Sequence, residues 1–226
     1  MPVPFVLASR SPARLATLRS AGVEPRVIVS DVDEDQVLAD ARDAAARNVA
    51  AGIGFALELR DQPALLARAK ADAVVARHDP DALVLACDSM LELDGEIMGK
   101  PADAAQARKR WRAMRGRIGI LHTGHVLVDN RHERRAPTGS PTLAGDTSST
   151  VVHFADLTDE EIDAYVATGE PLHVAGAFTV DGLGGPYVTR IEGDFHGVVG
   201  VSLPLLRDLL RTCGVDFHEL RSGRGS

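Results

Sequence analysis

The sequence predicts an α/β protein with a mixed β-sheet and flanking helices. Short apolar runs alternate with stretches of helical character along the whole chain, which is the pattern of strands that alternate with helices. The chain has 226 residues, of which 45% are hydrophobic and 25% are charged, so it can bury a substantial core. Because neither repeats nor a change of composition divide it, we expect one domain over 1–220 and a disordered tail at 221–226.

The first third of the chain predicts two strands and three helices. Ser11 is a suitable N-cap, Pro12 suits the first helical position, and Gly22 is a typical residue after a helix end. In chain order we expect a strand at 4–8, a helix at 12–20, a strand at 26–30, and two helices within 36–78, of which the second covers 64–77.

The remainder continues the alternation. Asp94-Gly95 predicts a hairpin turn, and Thr158 with Glu161 predicts a capping box. The polar stretch at 130–149 is rich in turn-forming residues and is predicted to be a long loop. The expected elements are strands at 83–86 and 90–93, a strand at 96–98, a helix at 103–114, a strand at 118–128, a strand at 150–155, a helix at 158–168, a strand at 187–191 and a helix at 202–213.

Charge and composition exclude several classes of protein. The net charge of −7 argues against a nucleic-acid surface, which usually carries a basic patch. No window has about 18 uninterrupted apolar residues, and the N-terminus does not resemble a signal peptide. We therefore expect no membrane span and a cytoplasmic location. The two cysteines, Cys87 and Cys213, are too few for a four-ligand zinc site and are expected to be reduced core residues.

Lysine is unusually rare. Only Lys70, Lys100 and Lys109 are lysine among the 25 basic residues, and the others are arginine. In a chain that nearly avoids lysine, each remaining one calls for a specific reason.

Two stretches could bind anions or cations, and each has an ordinary alternative. Ser9 to Arg14 joins a strand end, a helix N-terminus and two arginines, which suits phosphate binding, but it could also be a capped helix with surface arginines. The acidic run from Asp31 to Asp35, which includes Glu34, could bind a divalent metal or could be a solvated loop.

Two further positions could carry chemistry. Asp88 directly follows a buried strand, where a partly desolvated carboxylate suits a general base or a metal ligand; a turn cap is the alternative. Lys100 stands between Gly99 and Pro101, which would fix the backbone around a phosphate-directed charge; a surface turn is the alternative. Cations for phosphate together with carboxylates for a metal suggest phosphoanhydride hydrolysis.

These stretches, in this order, resemble the Maf family, the septum-formation-inhibitor-like nucleotide pyrophosphatases, and the pairing of CDSM with FTVDGLGG looks like the actinobacterial members. The matching segments cover residues 6 to about 210 and are LASRSPARLATLRSAGV, SDVDE, ARAKA, CDSM with DGEIMGKP, AYVATGEPLHVAGAF with DGLGG, and GVVGVSLPLL. The resemblance implies a fold like that of inosine triphosphate pyrophosphatases, with two lobes around a deep cleft. It also implies hydrolysis of a nucleoside triphosphate to the monophosphate and pyrophosphate, and suggests a homodimer.

The resemblance also implies roles for individual residues. Asp88 would be the general base that activates water and, with Glu34, would bind a divalent metal cation, Mg²⁺ or Mn²⁺. The phosphate-binding residues would be Ser9, Arg14, Lys70 and Lys100.

The base-selecting positions depart from the pyrimidine-triphosphate branch of the family. Ala13, Ser89 and Asp181 stand where that branch has arginine, threonine and glutamine. An acidic residue at 181 is similar to the branch that acts on 7-methyl-GTP, whereas Ala13 matches neither branch, so the preferred base stays open. A non-catalytic nucleotide-binding regulator of septum formation and a phosphatase that releases inorganic phosphate are the alternative functions.

Overall fold

The computed structural model describes residues 2–134 and 140–221. Within these residues the strands are β1 (Phe5–Leu7), β2 (Arg26–Val27), β3 (Leu83–Leu93), β4 (Glu96–Met98), β5 (Ile118–Asp129), β6 (Thr142–Phe154) and β7 (Val188–Glu192). The helices are α1 (Pro12–Ser20), α2 (Glu34–Ala50), α3 (Gln62–His78), α4 (Ala104–Met114), α5 (Asp159–Ala167), α6 (Phe195–Val199) and α7 (Leu203–Thr212).

The seven strands form one mixed sheet, which confirms the predicted fold class. The strand order is β2-β1-β3-β5-β6-β7, and β4 pairs with β3 outside this path. Strand β1 is parallel to both β2 and β3, whereas the β3–β4 and β6–β7 pairs are antiparallel. Among the described residues, no helix is both long and apolar enough to cross a membrane.

The chain divides into two compact units. Unit 1 comprises residues 1–88, 124–147 and 203–226, and unit 2 comprises residues 89–123 and 148–202. Strands β3, β5 and β6 each contribute residues to both units.

The core of unit 1 forms where α3 packs on the sheet. Ala67, Ala71 and Val74 recur at helical spacing on α3 and pack with Val84 and Ala86 of β3 in one fully buried cluster. Alanines on the helix allow its backbone to lie close to the strand. This packing fixes the position of α3, which also carries Lys70.

Gly124 of β5 lies against the start of α3. A Cβ atom at position 124 would overlap the backbone of Pro63 and Ala64. Since backbone atoms cannot move as a flexible side chain can, we expect Gly124→Ala to lower the free energy of unfolding by about 1–3 kcal/mol or more. Urea unfolding would measure this loss. Gly99→Ala is the control, because no heavy atom lies within 4 Å of its Cβ position; equal stability of the two variants would contradict the prediction.

The core of unit 2 is built around Trp111 of α4. The indole ring is fully buried, meets Phe154 and Tyr165 edge to face, and its Nε1 donates a hydrogen bond to the carbonyl of Ala177 at 2.8 Å. A buried indole N–H needs such a partner. The predicted capping box of α5 is confirmed, since Thr158 and Glu161 bond reciprocally.

The predicted loop at 130–149 is wrong over its second half. Strand β6 begins at Thr142, eight residues before the predicted start, because pairing within the sheet overrides the low strand propensity of glycine, aspartate and serine. Gly145 is required there: a Cβ atom would lie 2.9 Å from the carbonyl oxygen of His125. Residues 135–139 of the predicted loop lie outside the described residues.

Three other differences concern a shorter strand, an additional helix and the predicted tail. Strand β2 spans only Arg26–Val27 rather than 26–30, and the short helix α6 was not predicted. Arg221 pairs with Val23 in an isolated bridge, and the rest of the predicted tail, residues 222–226, lies outside the described residues.

Candidate active site

The alternation of β3 brings Asp88 to the face that α3 covers. Val84 and Ala86 pack under α3, and the next side chain on the same face of the strand belongs to Asp88. Lys70 lies one helical turn from Ala67 and next to Ala71 in sequence, so it reaches this position. The segment at 87–89 does not end the strand, and Asp88 lies within β3. The hydrogen bonds between strands use backbone N–H and C=O groups, which polar residues supply as well as apolar ones.

Lys70 joins two carboxylates. Its Nζ lies 2.5 Å from Oδ1 of Asp88 and 2.7 Å from Oε1 of Glu34, the first residue of α2. The side chains of Lys70 and Asp88 are only 12% and 11% exposed, whereas that of Glu34 is 46% exposed. Two carboxylates on one ammonium therefore form a partly buried acidic pair that opens to solvent on the Glu34 side.

Arg14 and Ser9 border this group. Strand β1 ends beside Leu85 of β3, so the residues that follow β1 lie next to the segment that contains Asp88. Arg14 Nη1 donates to the carbonyl oxygen of Cys87 at 2.7 Å and to Ser9 Oγ at 3.2 Å. The Ser11 side chain accepts from the Arg14 backbone amide, as a helix N-cap does. Ser9, Arg14, Glu34, Lys70 and Asp88 thus lie together in unit 1.

Burial governs the acidity of Asp88. Loss of hydration raises the pKa of its carboxyl above the ordinary value, and the charge and hydrogen bond of Lys70, together with the charge of Arg14, only partly offset this effect. Glu34 adds to the increase because a second negative charge disfavours ionisation. A carboxylate with a raised pKa is a stronger base than an exposed one.

Cys87 precedes Asp88 but faces away from this chemistry. The residue is fully buried, and burial raises the pKa of its thiol to about 12. Because the thiolate is the reactive form of cysteine, this thiol is inert at neutral pH. The prediction that both cysteines are core residues is confirmed, since Cys213 is also a buried free cysteine.

The acidic run divides into separate roles. Asp33 is the N-cap of α2, and its Oδ1 accepts a hydrogen bond from the Gln36 amide at 3.0 Å. Among the described residues, Glu34 is the one member of this run that forms an ion pair with Lys70. The run is therefore neither a simple solvated loop nor a cluster that gathers all its carboxylates at one point.

Lys100 lies in unit 2 on a fixed backbone. The carbonyl oxygen of Gly99 accepts hydrogen bonds from Arg110 Nη1 at 2.6 Å and from the Gly176 amide at 3.1 Å, and Pro101 is buried. The Lys100 side chain itself is exposed. A fixed backbone around one exposed cation agrees with the geometry that the Gly-Lys-Pro sequence predicts.

The three predicted base-selecting residues have different surroundings. Ala13 is half-buried in the first turn of α1. Ser89 Oγ lies 2.9 Å from Thr123 Oγ1, which donates to the carbonyl oxygen of Gly197. Asp181 is exposed in the glycine-rich turn before Gly182.

Sequence reasoning missed the supports of these residues. Arg110, which bonds to the Gly99 carbonyl, resembles any arginine on an exposed helix face. The acceptor for Arg14 is a backbone carbonyl, to which every residue type contributes equally, so no sequence signal could have identified it. The one signal for Arg110 is its position about one turn before the end of α4, next to the buried Trp111.

The chain is similar to known proteins over nearly its whole length. The model of the family described as Maf-like protein matches residues 4–213. Three relatives, each named nucleoside triphosphate pyrophosphatase, come from the actinobacteria Salinispora tropica, Streptomyces avermitilis and Rhodococcus jostii. They are 54%, 50% and 51% identical and cover 98%, 97% and 98% of this chain and 89%, 95% and 97% of their own lengths. Both the family match and this level of identity confirm the predicted resemblance: the chain belongs to the Maf family.

Proposed function

We propose that this chain hydrolyses a nucleoside triphosphate to the monophosphate and pyrophosphate, with Asp88 as general base and a divalent cation as cofactor. Family membership and about 50% identity to relatives named nucleoside triphosphate pyrophosphatase support the enzyme class. The observation that carries the proposal is the buried Asp88, which shares Lys70 with Glu34 and lies beside Arg14 and Ser9. Such a site offers a base and fixed cations to a triphosphate.

The donor set fits a hard cation that also binds substrate. Asp88 and Glu34 each bring an oxygen to within hydrogen-bond distance of the same nitrogen, so their carboxylates are close enough to share one ion. No group of three or more candidate ligands occurs in the described part of the chain. Mg²⁺ commonly binds through one or two carboxylates, with waters and substrate phosphates as its other ligands. When bound, the cation supplies positive charge to the phosphates and acidifies water.

The reaction needs one proton acceptor. A water oxygen attacks the α-phosphorus, its proton passes to Asp88, and the bond from the α-phosphorus to the oxygen that bridges to the β-phosphorus breaks, so that pyrophosphate leaves. Lys70 and Arg14 offset the negative charge that builds on the phosphate oxygens. Ser9 offers a hydroxyl to the same oxygens. The family resemblance assigns Lys100 to phosphate binding as well.

A panel of nucleotides tests this proposal. We expect pyrophosphate and a monophosphate from at least one nucleoside triphosphate in the presence of Mg²⁺ or Mn²⁺, and loss of turnover when EDTA removes the metal. Release of inorganic phosphate alone would indicate the phosphatase alternative. Nucleotide binding without turnover in any metal would contradict the enzyme and favour the regulator.

Asp181 is proposed to read the base. A carboxylate can accept two hydrogen bonds from the N1–H and exocyclic amine of guanine, whereas glutamine offers one acceptor and one donor. We expect Asp181→Gln to change the ratio of kcat/KM for GTP to that for UTP by about tenfold, since a hydrogen bond to a charged group contributes about 1.5–3 kcal/mol. The two steady-state constants measure this ratio, with 7-methyl-GTP as a third substrate. An unchanged ratio would exclude base recognition by Asp181.

A further inference from the structure

One half-buried carboxylate, that of Glu170, connects several parts of unit 2. Glu170 begins the short 3-10 helix that follows α5. Its Oε1 accepts hydrogen bonds from the hydroxyls of Tyr165 at 2.8 Å and Thr179 at 2.6 Å and from the amide of Gly184 at 3.0 Å. Its Oε2 accepts from the amide of Leu183 at 3.0 Å. A single side chain thus joins a helix to both sides of the turn at 180–184.

The glycines of the turn allow this close approach. A Cβ atom at position 182 would lie 2.5 Å from Glu170 Oε2, and one at position 184 would overlap the Tyr165 hydroxyl. Both glycines therefore leave room for the carboxylate and its donors. The turn is shaped around Glu170 rather than merely placed next to it.

Protonation states agree with this network. Burial alone would raise the pKa of Glu170, but the hydrogen bonds from Thr179, Leu183, Tyr165 and Gly184 lower it below the ordinary value. Burial raises the pKa of the Tyr165 phenol, so it stays a donor. An ionised Glu170 that faces only donors is the stable arrangement at neutral pH.

We propose that Glu170 is a positioning residue for base selection, because it holds the turn at 180–184 and with it the side chain of Asp181. This inference rests on the proposed function, in which Asp181 accepts hydrogen bonds from the base. Hydrogen bonds weaken steeply when their angle and distance change. A shift of the turn would therefore reduce the preference for a base with two adjacent donors more than it would reduce binding of the triphosphate.

Glu170→Gln tests the inference at constant volume. The amide offers one acceptor oxygen instead of two, so its NH₂ group would face the donor of either Leu183 or Gly184. We expect the ratio of kcat/KM for GTP to that for UTP to move by about threefold or more in the same direction as in Asp181→Gln, mainly through KM. Amide hydrogen exchange at Leu183 and Gly184, which needs no turnover, should be faster than in the wild type.

The control separates positioning from general stability. Thr158→Ala removes the N-cap of α5, a helix of the same unit, without touching the turn, and we expect it to lower the melting temperature and leave the ratio unchanged. If Glu170→Gln does not fold, Tyr165→Phe removes one donor to the same carboxylate and should shift the ratio in the same direction. The ratio of kcat/KM for GTP to that for UTP, measured on whichever variant folds, then tests the positioning role.

The outcomes distinguish this inference from the function on which it rests. If Asp181→Gln changes the ratio and Glu170→Gln does not, the positioning role is wrong while the proposed function stands. A wild-type chain that neither binds nor hydrolyses any nucleotide contradicts the proposed function. In that case amide exchange still tests the positioning role, because it needs no turnover. If Leu183 and Gly184 exchange as slowly in Glu170→Gln as in the wild type, Glu170 does not hold the turn.

Discussion

Replacing Asp88 with asparagine is expected to reduce pyrophosphate release by about 10²–10⁴-fold, the usual contribution of a general base. Asparagine keeps the size of the side chain and can still accept a hydrogen bond from Lys70, but it cannot take a proton from water. The loss should therefore fall on kcat. Release of pyrophosphate at saturating substrate and Mg²⁺ measures it.

The melting temperature of Asp88→Asn shows whether its loss of turnover comes from the missing base or from unfolding. A carboxyl with a raised pKa in the folded chain contributes stability below its unfolded pKa, and this contribution is lost as the pH rises through the folded pKa. At neutral pH the substitution removes a buried charge, while Lys70 keeps its ion pair with Glu34. We therefore expect Asp88→Asn to melt at or above the wild-type temperature at pH 7.

An exposed aspartate provides the matched control. Asp72 also pairs with a cation, Arg68, but on the exposed face of α3, where its side chain is 52% exposed. Asp72→Asn should leave both turnover and stability close to wild type, because surface ion pairs contribute little. If Asp88→Asn keeps more than about a tenth of wild-type kcat, another group accepts the proton and the assignment of Asp88 is wrong.

Local signals in the sequence predicted much of the fold. Helix α1 begins after the capping residue Ser11 as predicted, and the Asp94-Gly95 turn lies between β3 and β4 with both residues at positive φ. These features depend on neighbours within a few residues. Strand β6 is different: its first half is stabilised by pairing with distant residues, which propensity does not describe.

The site shows the same division. A carboxylate after the run LVLA is a local signal, and it correctly indicated a partly desolvated Asp88. Its pairing with Lys70 depends on how α3 lies across β3, which the alanines of both elements determine together. The family resemblance assigned Lys70 to phosphate binding but did not predict its ion pair with Asp88, because a single sequence does not specify how a helix and a strand align.

The three lysines offer the sharpest comparison of the two basic side chains. Lys70→Arg should lower kcat/KM by at least about tenfold. An ammonium has three donors, of which Glu34 and Asp88 take two, so one remains for a phosphate oxygen. A planar guanidinium is larger than the space around a side chain that is 12% exposed, and it would push the two carboxylates apart.

Lys100→Arg and Lys109→Arg complete the series. Lys100 is exposed on a fixed backbone. If it binds phosphate as proposed, a longer guanidinium would place its charge at a different point, so we expect a smaller loss than at position 70. Lys109 lies on the exposed surface of α4, and its replacement should leave kcat/KM unchanged. The order 70, then 100, then 109 is the prediction, and steady-state kinetics with melting curves for each variant measure it.

The outcome decides why lysine persists in a chain in which 22 of the 25 basic residues are arginine. If Lys70→Arg turns over substrate as well as the wild type, the compact ammonium is not needed between Glu34 and Asp88, and lysine at position 70 has no chemical reason. If only position 70 is sensitive, the requirement lies in the acidic pair rather than in phosphate binding. Sensitivity at both 70 and 100 would mean that substitution by arginine stopped wherever a compact cation meets the triphosphate.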